Sequence, residues 1–185
     1  MTFKRWLPTF LAFPVGGFLA IETVGSLDGV ASGAAGGLIA GAIIGAGQWL
    51  ALRSGRVGRR WVAHTAVAMS AGTALATVVT GAGTEVADLM VTGLVAGAAV
   101  GAAQSPLLGA GRLVAAAWTG VTAGSWALGW LTSSFIGLDV ERGYHVFGSS
   151  GAVVVTVLTG LALRRILAAR GGARLTLRSP AALGA

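Results

Sequence analysis

The sequence contains no cysteine and little charge, and both shortages limit what the protein can be. Without cysteine it has no disulfide, no thiolate metal site and no cysteine nucleophile. Charged residues make up 10% of the chain, apolar residues make up 55%, and the mean hydropathy is +0.80. A soluble chain of 185 residues needs far more charge to cover its surface. The composition therefore predicts an integral membrane protein whose apolar surface is covered by lipid.

Six apolar stretches, each long enough at about 20 residues to cross a bilayer, predict an all-α bundle of six transmembrane helices. Their predicted ranges are 6–24, 31–52, 61–83, 86–110, 113–136 and 144–163. Pro8 and Pro14 are expected to bend the first helix, because proline removes a backbone donor. Together these helices form one membrane domain over residues 1–170 without a soluble domain. A flexible cytoplasmic tail is expected at 171–185.

Charged residues alternate between two sets of gaps. All Lys and Arg residues except Arg142 lie before the first helix, after the second, after the fourth or after the sixth. The acids lie in or beside the other gaps, as Glu22, Asp28, Glu85, Asp88, Asp139 and Glu141. The positive-inside rule then places both termini in the cytoplasm of a bacterial cell, with the chain in the cytoplasmic membrane. Membrane topology thus explains the net charge of +7, and no nucleic-acid partner is expected.

The acids come two per gap, which leaves two interpretations open. In the first, the acids are exposed to solvent and bind nothing. In the second, three pairs around a quasi-threefold axis form an outer cation site, since hard cations prefer carboxylate oxygens. His64 and His145 fall on opposite sides of the membrane, so a metal site shared between them is not expected. No resident metal is predicted, and the cofactor is left unknown.

Part of the sequence repeats. The segment from Gly37 to Gln48 recurs from Gly93 to Gln104, and residues 70–73 align with 122–125. The pattern predicts two helical hairpins of the same orientation, over residues 31–83 and 86–136. A fainter match of residues 161–164 to 50–53 favours a third hairpin, divided between the sixth and first helices.

The first copy carries a Gly-x3-Gly-x2-Gln-Trp-Leu motif. It stands as Gly41, Gly45, Gln48, Trp49 and Leu50. This motif resembles that of uncharacterised bacterial multi-span membrane proteins built from tandem hairpins. The second copy departs from it, with Ser105 and Pro106 in place of Trp and Leu. The resemblance implies a membrane bundle and brings no established activity.

Glycines four residues apart predict flat helix faces. They are Gly33, Gly37, Gly41 and Gly45 on the second helix, Gly93, Gly97 and Gly101 on the fourth, and Gly120 and Gly124 on the fifth. Small residues allow the close van der Waals packing on which helix association in lipid depends. The faces pack within one bundle or, alternatively, against a membrane-protein partner or a second copy of the chain.

Polar side chains within the predicted helices form a candidate solute path. They are Gln48, Gln104, Ser70, Thr73, Thr77, Thr80, Thr122, Ser125 and Thr132. The alternative is that the amides bridge neighbouring helices and the hydroxyls bond to the carbonyl four residues earlier. Trp6, Trp49, Trp61 and Trp118 are expected to form an aromatic belt at the inner membrane interface.

Two functions follow, and neither is enzymatic, because no plausible catalytic groups other than the outer acids share a depth in the membrane. The first is a non-catalytic scaffold or accessory subunit of a membrane assembly. The second is a permease-like component for a small neutral or amphipathic solute. In size the chain is similar to the substrate-binding membrane subunits of vitamin importers.

Overall fold

The computed structural model describes residues 2–52, 57–109, 111–136 and 149–178, with side chains up to residue 169. In these ranges the chain forms six long helices and no strand. They are α1 (Phe3–Val24), α2 (Val30–Leu52), α3 (Arg60–Thr80), α4 (Val86–Leu108), α5 (Arg112–Phe135) and α6 (Ser149–Arg178).

Prolines change the helix type in two places. Leu7–Leu11 of α1 contains Pro8 and is a 3₁₀ segment, as is Ser105–Leu108, which contains Pro106 and ends α4. Proline lacks the N–H that continues an α-helix, so the tighter helix is a local solution. Pro14 lies in the first turn of the α-helical part of α1, Ala12–Val24, where no N–H is needed.

Five of the six helices are long and apolar enough to cross a membrane. They are α1 to α4 and Ser149–Ala169 of α6. The exception, α5, has 24 residues, but its tryptophans, glycines and hydroxyl side chains lower its hydropathy. Its tryptophans Trp118, Trp126 and Trp130 are buried. The low hydropathy of α5 therefore comes in part from buried tryptophans that face the other helices.

The helices form a closed ring in which each packs against its neighbours in sequence and α6 packs against α1. Neighbours run antiparallel, because Gly41 of α2 meets Ala66 of α3 while Gly33 meets Thr77. Alternate connections therefore lie at opposite ends. The arginine end carries Lys4, Arg5, Arg59, Arg60, Arg112, Arg164 and Arg165, and the acidic end carries Glu22, Asp28, Glu85 and Asp88.

The last helix extends further than predicted. It continues to Arg178, whereas the sequence placed its end at residue 163. Its predicted start at Tyr144 lies outside the described residues. Of the predicted tail, residues 171–178 are helical and 179–185 are not described, so its flexibility stays a prediction.

Candidate functional site

Glycines on α2 and α4 bring these helices into backbone contact with the helices that follow. A Cβ atom added at Gly41 would lie 2.9 Å from Ala66 Cα, and one at Gly97 would lie 2.9 Å from Ala123 Cα. Gly33, Gly37, Gly45, Gly93 and Gly101 likewise face α3 or α5. Any side chain at the closest of these positions would force the helices apart.

Gly120 and Gly124, the predicted packing face of α5, are not used for packing within the described part of the bundle, and packing against a second chain stays a prediction. A Cβ atom at either position would meet nothing within 4 Å among the described residues. The reason is that α5 turns its opposite side, which carries Thr122 and Trp126, toward Gly97 and Gly101 of α4. These two glycines therefore lie on a face of α5 that has no neighbour within the chain as described.

The contacts also correct the alignment of α3 with α5. Gly45 meets Thr65, and Gly101 meets Thr122 in the same way. Thr122 thus occupies the place of Thr65, whereas the sequence comparison paired it with Ser70. That comparison matched two short runs of small residues, which are too alike to fix a register.

Gln48 and Gln104 meet in a buried layer near the arginine end. Gln104 Nε2 donates to Gln48 Oε1 at 3.1 Å and to Thr65 Oγ1 at 2.9 Å. Trp61 Nε1 donates to Gln48 Oε1 at 3.0 Å, and Trp118 Nε1 donates to Gln104 Oε1 at 3.2 Å. We call these five residues the glutamine layer. It ties α2, α3, α4 and α5 together.

A cluster of tryptophan and leucine side chains closes the bundle beside this layer. Its members include Trp6, Trp61 and Trp118, which lie in the first two turns of α1, α3 and α5, and Leu52, Leu108 and Leu163 of α2, α4 and α6. All six are at most 3% exposed. Trp6 Nε1 donates to Thr156 O at 3.0 Å. The predicted aromatic belt is therefore wrong for these tryptophans, which face the interior of the ring.

A cavity of about 100 Å³ lies between the helices toward the acidic end. We call it the chamber. Its lining includes Thr73, Thr77 and Thr80 of α3, Phe13 of α1, and Trp126 and Trp130 of α5. It reaches the connections at the acidic end through Leu27, Ala82 and Gly83. Among the described residues that line it, none is ionisable.

The threonines of the chamber already donate their hydroxyl protons. Thr73 Oγ1 lies 2.7 Å from Gly33 O and 2.8 Å from Met69 O. Thr77 donates to Thr73 O and Thr80 to Ala76 O, both at 3.0 Å. A hydroxyl whose proton is engaged still has lone pairs that accept. This wall therefore presents hydrogen-bond acceptors to whatever enters.

The rest of the predicted solute path does not line the chamber. Ser70, Thr122, Ser125 and Thr132 are absent from its lining, and Gln48 and Gln104 lie in the glutamine layer. Thr122 donates to Trp118 O at 2.8 Å, and Thr132 donates to Leu128 O at 2.8 Å. Sequence reasoning missed Trp126 and Trp130; a signal was their helical spacing, which places both on one face of α5.

The predicted outer cation site is not assembled in the part of the chain that is described. No three His, Asp or Glu side chains there come close enough to hold a metal ion. Glu22, Asp28 and Glu85 are exposed at the acidic end. Asp139 and Glu141 lie outside the described residues, as does His145.

His64 has a structural contact at the other end of the bundle. Its Nδ1 lies 2.7 Å from Ala103 O, so this nitrogen carries the proton and donates. The bond joins α3 to α4 next to the glutamine layer.

Comparisons with protein-family models, with curated proteins and with solved structures find no match to this chain. The geometry of the chamber and of the glutamine layer therefore carries the functional interpretation.

Proposed function

We propose that the chain is a six-span protein of a bacterial cytoplasmic membrane that binds a small neutral solute in its chamber, as a permease-like component. The positive-inside rule orients it with the arginine end and both termini in the cytoplasm. α5 completes the six spans. Its 24 residues extend over about 36 Å at 1.5 Å per residue, which is enough to cross a hydrocarbon core of about 30 Å.

The bundle consists of three hairpins around a quasi-threefold axis, namely α2–α3, α4–α5 and α6–α1. In support, each hairpin contributes one leucine and one tryptophan to the cluster at the arginine end. The glycine contacts of α2 with α3 also recur between α4 and α5. Equivalent positions that meet in one layer are what repeated hairpins produce.

The observation that carries the functional proposal is the contrast between the two ends. The arginine end is closed by buried side chains, whereas the chamber extends to the connections of the acidic end. A solute would enter from outside and come to rest above the glutamine layer. Because the chamber wall joins apolar surface to hydroxyl acceptors, the preferred solute is apolar in part and donates a hydrogen bond from a neutral O–H or N–H.

The test is native mass spectrometry of the protein released gently from its own membrane. The wild type should carry a small molecule, and Thr73→Trp, which fills the chamber, should not. Leu75→Trp is the matched control, because Leu75 is 55% exposed on the outside of the ring. A bare wild type, or a Thr73→Trp variant that keeps the same molecule, would contradict solute binding.

A second candidate, a scaffold or accessory subunit, is supported by the open face of α5. A Cβ atom at Gly120 or Gly124 would meet nothing within 4 Å among the described residues, and Leu113 at the arginine end of the helix is 88% exposed. Small residues on an open face allow another helix to approach closely. The same spectra distinguish the two candidates: a stoichiometric protein partner that is lost in Gly120→Leu would identify the scaffold.

A further inference from the structure

A groove on the outer surface of the bundle lies where α1 and α2 meet at the arginine end. It has a volume of about 480 Å³ and is lined by Arg5, Pro8, Thr9, Ala12, Gly47, Leu50 and Ala51. Sites for small molecules commonly span about 300–1,000 Å³, so the groove has room for a ligand larger than water. It shares no lining residue with the chamber.

The groove follows from the sequence of α1. A Cβ atom at Gly47 would lie 2.9 Å from Ala12 Cβ, so the two helices touch at this level. Beyond it, toward the arginine end, α1 changes to the 3₁₀ segment that contains Pro8, and its contacts with α2 become few. The space between the helices is therefore left to a molecule from outside the chain.

Thr9 gives the groove an unsatisfied polar group. The residue is 5% exposed, and its Oγ1 has no hydrogen-bond partner in the described part of the chain. A buried hydroxyl without a partner costs free energy relative to one that is bonded. Because the hydroxyl oxygen is itself buried, the Thr9 side chain must rotate before an oxygen of a bound ligand accepts its proton.

Arg5 sets the charge that the groove prefers. Its side chain is exposed, and no acidic residue lines the groove. A guanidinium group binds phosphate oxygens through two parallel hydrogen bonds. A ligand phosphate is therefore favoured beside Arg5.

The apolar surface around the groove identifies the source of that phosphate. Leu11 and Leu50 are each more than half exposed, and Leu50 forms part of the wall. An acyl chain can lie along these side chains, whereas free phosphate gains nothing from them. The inner leaflet, which the proposed topology places at the arginine end, contains anionic lipids that give it a negative surface potential.

We infer that this groove binds one anionic glycerophospholipid of the cytoplasmic leaflet. Its phosphate lies on Arg5, an ester or phosphate oxygen accepts from Thr9 Oγ1, and an acyl chain lies against Leu50. The choice of leaflet rests on the proposed orientation of the protein. Lipid binding in the groove does not depend on solute binding in the chamber.

In the experiment, phosphatidylglycerol is added to the delipidated protein in a neutral detergent, so that no charged micelle surface attracts the lipid. Native mass spectrometry should show one lipid bound about tenfold more tightly than phosphatidylcholine, whose quaternary ammonium group offsets its phosphate and adds a positive charge beside Arg5. Equal binding of the two lipids would overturn the proposal. Inorganic phosphate in excess should not displace the lipid; displacement would assign the groove to free phosphate instead.

Two variants, each of which removes one positive charge, test whether the lipid binds at Arg5 in particular. Arg5→Gln should weaken phosphatidylglycerol binding about tenfold, whereas Lys4→Gln, whose residue does not line the groove, should leave it unchanged. Equal losses would show a general charge effect and contradict the site.

Thr9→Val separates ligand binding from folding. It should weaken lipid binding about threefold, the effect of one neutral hydrogen bond. The lipid-free variant should unfold at the same or a higher temperature, because valine removes an unpaired polar group. Unchanged lipid affinity in this variant would exclude Thr9 from the site. If Arg5→Gln fails to fold, the comparison of the two lipids on the wild type still decides the proposal.

Discussion

The hairpins α2–α3 and α4–α5 use the same glycine contacts, yet the first provides three of the four threonines that line the chamber, Thr73, Thr77 and Thr80, and the second provides Thr92. A side chain at Gly37 would meet Thr73, and one at Gly93 would meet Trp130. Both residues line the chamber, but threonine leaves space and accepts hydrogen bonds, whereas tryptophan fills space and closes that side. The comparison teaches that the glycines set the helix spacing, while the residue facing them determines where a solute can lie.

The largest expected effect concerns the glycines that both hairpins share. Gly97→Leu should destabilise the folded protein by more than about 3 kcal/mol, because its Cβ would meet the backbone of α5 at both Thr122 and Ala123. Gly120→Leu is the matched control, with open space around it, and should change stability by less than about 0.5 kcal/mol. Thermal unfolding and gel filtration in detergent measure both. Equal damage from the two variants would refute the assigned faces of α5.

The second prediction exchanges Thr73 and Trp130, the residues that face the equivalent glycines Gly37 and Gly93 of the two hairpins. Trp130→Thr should cost about 3 kcal/mol, because Trp130 is 5% exposed and its loss leaves a cavity. Thr73→Trp should remove the bound molecule, since an indole at this position takes up the chamber, and it should also destabilise the fold, because Thr73 Oγ1 lies 2.7 Å from Gly33 O of α2. Unfolding curves together with mass spectra of both variants test this. The comparison fails if Trp130→Thr leaves the stability unchanged.

The third effect distinguishes the two glutamines. Gln104 bonds to Gln48, Thr65 and Trp118, whereas Gln48 bonds to Gln104 and Trp61. Gln104→Leu should therefore cost about 2 kcal/mol and Gln48→Leu about 1 kcal/mol, because each leaves buried partners unpaired. The free energy of unfolding in mixed micelles is the measurement. The reverse order would contradict the bond pattern of the glutamine layer.

The smallest effect separates hydroxyls that link helices from those that do not. Thr73→Val removes a bond to Gly33 O on α2 and should cost about 0.6 kcal/mol. Thr80→Val removes only a bond within α3, to Ala76 O, and should cost less. The same unfolding assay compares them. A larger loss in Thr80→Val would show that the hydroxyl of Thr80 has a partner outside α3.

The spacing of residues along the sequence was sufficient to predict the features that belong to a single helix. Apolar length predicted the long helices, and glycine spacing predicted the flat faces of α2 and α4, since residues four apart share a side. Gln48 and Gln104 stand at matching repeat positions near the same end of their helices, so the sequence could place them at one depth. Their direct bond is a further fact that required the structure.

The remaining features depend on how helices rotate against one another. Gly120 and Gly124 have the spacing of a packing face, but bulky Trp126 and Trp130 determine which side of α5 faces inward. Pairing Thr122 with Ser70 failed because short runs of Ala, Gly and hydroxyl residues recur in several registers. The chamber was not predictable, because it depends on side-chain volumes contributed by separate helices.

The most direct test of the chamber and its closed end uses the absence of cysteine from the sequence. Single cysteines replace Thr77 and Thr80 in the chamber and Thr65 in the glutamine layer, and a membrane-impermeant thiol reagent is added to the outer face of intact cells. With the orientation proposed above, Thr77→Cys and Thr80→Cys should react from outside, because both residues line the chamber, whereas Thr65→Cys, at a position that is 0% exposed, should not react. Reaction of Thr65→Cys as fast as that of Thr80→Cys, or reaction of Thr80→Cys only from the cytoplasmic side, would contradict a chamber that opens outward and is closed at the arginine end.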